Sequence, residues 1–127
     1  MEQEHHYNGN FSSYLVQNSR HKVIKIRLKR AVIDYVKEFK DYVSIFHAES
    51  KKDLILDFSE TNFIDSSFLG TIISLLKNVT IGKGSLSLVI DSSKITFFLP
   101  FKNVCKVINI YPSVDDAITN NNKFTIA

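Results

Sequence analysis

The sequence predicts an α/β fold: a small, mostly parallel (mixed) sheet of four to five strands with about four helices. Three observations lead there. Short apolar runs alternate along the chain with stretches of helical periodicity, the order that builds a parallel sheet through right-handed crossovers. The two longest amphipathic stretches, near 34–48 and 66–79, each lie between apolar runs of strand length. The chain has 127 residues, 44% hydrophobic and 23% charged. That suits one domain with a real core and no need of a disulfide or metal.

Residues 1–10 are polar and read as a flexible N-terminal tail, leaving 11–127 as a single domain. Phe11 to Gln17 is a weak strand candidate. Val23 to Lys29 is a better one, with Ile24, Ile26 and Leu28 on one face and Lys25, Arg27 and Lys29 on the other. The three cations read as a solvated sheet face, with a binding stripe as the alternative. From Asp34, a candidate N-cap, to about Ala48 the apolar positions Tyr35, Val36, Phe39, Tyr42, Val43 and Phe46 follow helical spacing. Asp53 to Phe58 is a short buried strand, Ser59 to Asp65 a loop, and Ser66 to Val79 a second helix. Gly82-Lys83-Gly84 breaks it before a strand over Leu86 to Ile90. Ser92 or Ser93 caps a short helix that Pro100 should kink or end. A strand at Val107 to Ile110 precedes a last helix opened by Ser113-Val114-Asp115-Asp116, which resembles a capping box.

Sixteen Lys and Arg against thirteen Asp and Glu leave a net charge of +3, too little for a dedicated phosphate-backbone binder, so no direct nucleic-acid partner is expected. The polar start and the lack of a long apolar run argue against a leader peptide and against membrane insertion. A single cysteine, Cys105, rules out an intramolecular disulfide and suits a cytoplasmic protein. Buried-thiol packing is its expected role. Gly82-Lys83-Gly84-Ser85 ends like a phosphate-binding loop, but Lys77 stands where the first glycine belongs, and a strand rather than a helix follows. His5 and His6 have no Cys or His cluster beside them, and His47 suits the C-terminal dipole of its helix. The reading therefore assigns no enzyme activity, no catalytic residue, no metal and no cofactor.

The informative stretch runs from Asp57 to Gly70, where a buried strand ends in a loop and Asp65-Ser66-Ser67 opens the second helix. A serine there can cap free backbone N–H groups. A phosphate added there would meet the positive end of the helix dipole, so the fold could carry it. On that helix Leu69, Ile72, Ile73, Leu76 and Val79 share the core face, and Thr71, Ser74 and Asn78 the opposite one. Phe68 and Leu75 fall on the flank. Either they widen the core or they form a half-exposed apolar ridge suited to a partner.

These residues resemble the STAS domains, the sulfate-transporter and anti-sigma factor antagonist family. Their signature is a strand ending in Leu-Asp, a Phe-Ile-Asp-Ser-Ser-Gly-Leu-Gly turn, and a helix. The chain reads Ile55-Leu56-Asp57, then Phe63-Ile64-Asp65-Ser66-Ser67-Phe68-Leu69-Gly70. The resemblance runs from about Val23 to Ile118. It includes the Gly82 region, the strand at Lys106 to Ile110 and the helix start at Ser113, Asp116, Ala117 and Ile118. It implies a STAS-like fold of the stand-alone anti-sigma factor antagonist type, with Ser66 as the phosphorylation site and Ser67 as second choice. The implied partners are a serine kinase that is also an anti-sigma factor, and a metal-dependent serine phosphatase. The chain itself would be a monomer or weak dimer. The expected partner-binding residues are Asp65, Ser66, Ser67, Phe68, Thr71, Leu75, Lys29 and Arg30. Phe68 departs from the family glycine and would either block a partner or anchor one. Asn103 replaces another glycine and tolerates a left-handed cap. Lys29-Arg30-Ala31 replaces a glycine-and-acid segment, which points to an acidic partner. The alternative function is a constitutive STAS subunit of a lipid-transport or stress assembly without a phosphorylation switch. An enzyme or small-ligand carrier would need a pocket with convergent polar groups.

Overall fold

A computed structural model describes residues 4–7, 9–45 and 53–125. The described residues form eight strands: β1 (Glu4–Tyr7), β2 (Phe11–Leu15), β3 (His21–Ile26), β4 (Arg30–Ala31), β5 (Asp53–Asp57), β6 (Phe63–Ile64), β7 (Ser85–Val89) and β8 (Asn109–Tyr111). The helices are α1 (Val36–Ser44), α2 (Ser66–Ile81) and α3 (Val114–Thr119). Two 3-10 segments, Ile33–Tyr35 and Ser92–Lys106, complete the described elements.

The main sheet has the order β1-β2-β3-β5-β7-β8. β1, β2 and β3 pair antiparallel, and β3, β5, β7 and β8 pair parallel. Strands β2, β3, β5, β7 and β8 are the small mixed sheet that the sequence predicts. β1 lies within the segment read as a flexible tail. Its backbone pairs with β2, Glu4 opposite Tyr14 and Tyr7 opposite Phe11. Polar composition hides such an edge strand, because an edge need bury little to be held by its ladder.

Strand alternation sends side chains to two cores. Ile24, Ile26, Leu54, Leu56, Leu86, Leu88 and Ile110 join the larger one, with Phe39, Tyr42, Phe68, Leu69, Ile72 and Phe98 from the covering segments. Val23, Ile55, Val89 and Tyr111 point the other way and pack with Ala117 of α3. Burial on both faces explains why Leu54-Ile55-Leu56 is an unbroken apolar run. It also means that the face of β3 read as solvated is only partly so, since Lys25 and Arg27 are half-buried.

Several caps differ from the sequence reading. The helix expected from Asp34 begins with a 3-10 turn, and Tyr35 is the N-cap of α1 without a side-chain bond. Phe46, His47 and Ala48 lie outside the described residues. Asp91, rather than either serine, caps the 3-10 segment by accepting the Ser93 N–H. That segment is kinked at Phe101, directly after Pro100, where a proline ring disrupts helical continuation. Asn103 sits inside it and is not among the residues with positive φ. In the break after α2 it is Lys83, not a glycine, that adopts φ 64°. Ser113 does cap α3, accepting the Asp116 N–H at 3.1 Å.

Candidate functional site

The site lies at the C-terminal end of β5, where parallel strands of open α/β sheets present their ligand-facing loops. Asp57 ends that strand and is buried, its Oδ1 accepting the Ser59 N–H at 2.9 Å. The loop that follows is stitched down along its length. Phe58 N–H donates to Val89 O, the buried Thr61 hydroxyl donates to Leu28 O at 2.8 Å, and Asn62 N–H donates to Lys29 O. The Lys94 ammonium reaches Ser59 O at 3.0 Å. Such a loop holds one shape because its backbone polar groups have protein partners.

The loop leads into β6, which forms a two-stranded parallel ladder with β4, Arg30 opposite Phe63 and Ala31 opposite Ile64. Two residues per strand are too few for the period-two pattern to show in a sequence, so this ladder was not legible. It brings Arg30 over the Phe63 ring, 4.4 Å from guanidinium carbon to ring centroid, a cation–π contact. Phe63 is 38% exposed and Ile33 62%. Neither stands among the predicted partner-binding residues, although an apolar Phe63 inside a loop was a signal.

Asp65 follows as the N-cap of α2, in extended conformation. Its Oδ1 accepts the Phe68 N–H at 2.8 Å, its Oδ2 accepts the Ile33 N–H at 2.9 Å, and its own N–H donates to Ala31 O. Capping is thus the work of the aspartate, not of a serine. Ser66 and Ser67 are the first two residues of the helix, and both are exposed. β4 and the 33–35 turn are therefore bound to the α2 N-terminus, and the exposed Lys29 and Arg30 belong to the same end of the molecule.

The other predicted partner-binding residues separate from this cluster. Phe68 is a correction: it is fully buried. Its ring packs 5.0 Å from Phe39 and, edge to face, 6.3 Å from Phe58. Helix geometry turns it inward, one step before Leu69 on the core stripe. Of the two readings of that flank, Phe68 takes the core one. Thr71 and Leu75 are half-buried on the α1 side of α2, Thr71 donating its hydroxyl proton to Ser67 O at 3.0 Å. The cations of this segment are divided, Lys25 and Arg27 half-buried and Lys29 and Arg30 exposed. Arg27 Nε donates to Ser12 Oγ at 3.2 Å.

Among the described residues, no group of three or more His, Cys, Asp or Glu is placed to hold a metal ion. No described helix is long and apolar enough to cross a membrane.

The STAS domain model matches residues 15–117. A candidate anti-sigma factor antagonist from Thermotoga maritima superposes with a TM-score of 0.72 at 24% identity, covering 91% of this chain and 97% of its own. An anti-sigma factor antagonist from Mycobacterium paratuberculosis gives 0.67 at 16% identity, covering 94% and 92%. The anti-sigma factor antagonist SpoIIAA in its unphosphorylated form gives 0.64 at 15% identity, covering 87% and 94%. At these identities the likeness is one of fold. No curated protein sequence matches the chain.

Proposed function

The chain belongs to the STAS domain family, and from that premise we propose that it is a non-catalytic protein-binding regulator of the anti-sigma factor antagonist kind, switched by phosphorylation of Ser66. The proposed partners are a serine kinase that also acts as an anti-sigma factor and a metal-dependent serine phosphatase that resets the switch, all in a bacterial cytoplasm. Ser67 is the second candidate acceptor.

One observation carries the reading. Ser66 is exposed at the first position of a sixteen-residue helix whose cap is already supplied by Asp65. Its hydroxyl is not needed for capping, and a kinase can reach it from solvent. A phosphate brings about −1.5 to −2 charges at neutral pH and three strong acceptor oxygens. At a helix N-terminus the isolated domain tolerates that charge through the dipole. In a protein interface the same charge must be desolvated or face the partner's groups, so the complex is the state that suffers. A loss of 1.4 kcal/mol already weakens binding tenfold.

The constitutive-subunit reading would be favoured by a Phe68 ring available to a partner in place of the family glycine. With Phe68 in the core, that support is gone. The test is incubation with ATP and the serine kinases of the same organism, with phosphopeptide mapping. Label on Ser66 that is lost in Ser66→Ala supports the switch. Label elsewhere, or a stable partner indifferent to Ser66→Asp, sinks it.

A further inference from the structure

Between α1 and α2 runs a groove of about 240 Å³ whose lining includes Thr71 and Leu75 of the expected partner surface. Phe39, Val43 and Leu75 give it an apolar floor, and Thr71, Ser74 and Asn78 stand along one wall at helical spacing. Its hydrogen-bonding inventory is lopsided. The Thr71 hydroxyl proton is committed to Ser67 O and that of Ser44 to Asp41 O. The Ser74 hydroxyl and Asn78 amide have no hydrogen-bond partner among the described residues, and both can donate.

The charge is lopsided too. Lys40 lines the groove and has no ion-pair partner among the described residues. The acids beside it on α1 are occupied: Asp41 pairs with Lys37 at 2.8 Å, and Glu38 accepts from Asn10. α2 contains no acidic residue. An apolar floor rimmed by the exposed Lys40, Ser74 and Asn78 suits an acceptor-only anion with an alkyl tail.

We propose that the α1–α2 groove binds a small monocarboxylate with a short alkyl chain, its tail on Phe39, Val43 and Leu75 and its carboxylate at Lys40, Ser74 and Asn78.

The test is an amide-shift titration of the labelled full chain with sodium octanoate, with 1-octanol as neutral control. Saturable shifts confined to Lys40, Val43, Ser74, Leu75 and their neighbours are expected, with octanol at least tenfold weaker. Lys40→Glu should weaken octanoate at least tenfold, and Leu75→Trp or Ser74→Trp should abolish the shifts by filling the groove. Non-saturating or scattered shifts overturn the proposal, as does octanol binding equally well. If a tryptophan variant does not fold, unchanged octanoate affinity in Lys40→Glu still overturns it.

Discussion

The carboxylate of Asp65 accepts the backbone N–H of Ile33 at 2.9 Å while its other oxygen caps α2. One side chain therefore ties the turn before α1 to the start of the helix that carries Ser66. Removing an aspartate N-cap costs about 0.5–2 kcal/mol, and a hydrogen bond to a charged acceptor contributes about 1.5–3 kcal/mol. Asp65→Ala should therefore lose roughly 2–5 kcal/mol in urea denaturation. Asp65→Asn keeps a good cap and should lose about half as much. No loss in Asp65→Asn would show that the charge and the Ile33 bond contribute nothing.

Phe68 makes the strongest packing prediction. It has no exposed surface and sits between Phe39 and Phe58. Phe68→Ala should cost about 3–5 kcal/mol through lost burial and the cavity left behind. Phe68→Gly, which restores the family residue, should cost roughly a further 0.5–1 kcal/mol for glycine inside a helix. Phe68→Leu should recover most of the difference. A loss below about 1 kcal/mol for alanine would contradict the buried position. Any change of partner binding in these variants then reads first as a change of stability.

Phe68 also shows where sequence reasoning ran out. Long periodic segments were legible: β3, β5, α2 and β7 stand close to where spacing put them, and the kink after Pro100 and the Ser113 cap followed from local chemistry. The place of Ser66 at the helix start was legible as well. The angle of a flanking residue was not, because periodicity places Phe68 at the border of the stripe and only Phe39, on a different helix, decides which way it turns. Nor was the β4–β6 ladder, whose two-residue strands are defined by long-range pairing rather than by pattern.

A third prediction concerns a buried polar pair. The Tyr42 hydroxyl donates to Ser13 Oγ at 2.9 Å, joining α1 to β2 beneath the main core. Tyr42→Phe should cost about 1 kcal/mol, and somewhat more if Ser13 is left without a donor. The double variant Tyr42→Phe with Ser13→Ala should be less destabilised than the two single effects added together. Strict additivity in the four denaturation curves would mean that the bond contributes no coupling.

Burial pushes the Cys105 thiol above its ordinary pKa, outweighing a backbone hydrogen bond that acts the other way. The fold thus favours the protonated thiol. The stability this lends is present below the unfolded-state pKa and fades as pH rises through the folded value. Since the thiolate is the reactive form, the alkylation rate of the native chain should rise at higher pH than that of the urea-unfolded chain. Superposable pH–rate curves would remove the effect of burial. The same thiol should be a poor redox sensor at neutral pH.

The last prediction separates the fold from the switch. Ser66 occupies the first position of α2, beside the Asp65 cap. An acidic residue there meets the positive end of the dipole and should stabilise by about 0.3–1 kcal/mol, whereas a basic one should destabilise by a similar amount. Ser66→Glu should therefore raise the melting temperature slightly or leave it unchanged, and Ser66→Lys should lower it. If phosphorylation acts on the complex, Ser66→Glu must combine that intact stability with lost affinity for the kinase that labels the wild-type chain. Ser66→Ala should keep both. Loss of stability in Ser66→Glu comparable to that of Asp65→Ala would mean that negative charge disrupts the helix start itself. The switch would then have to work by unfolding the site rather than by repelling a partner.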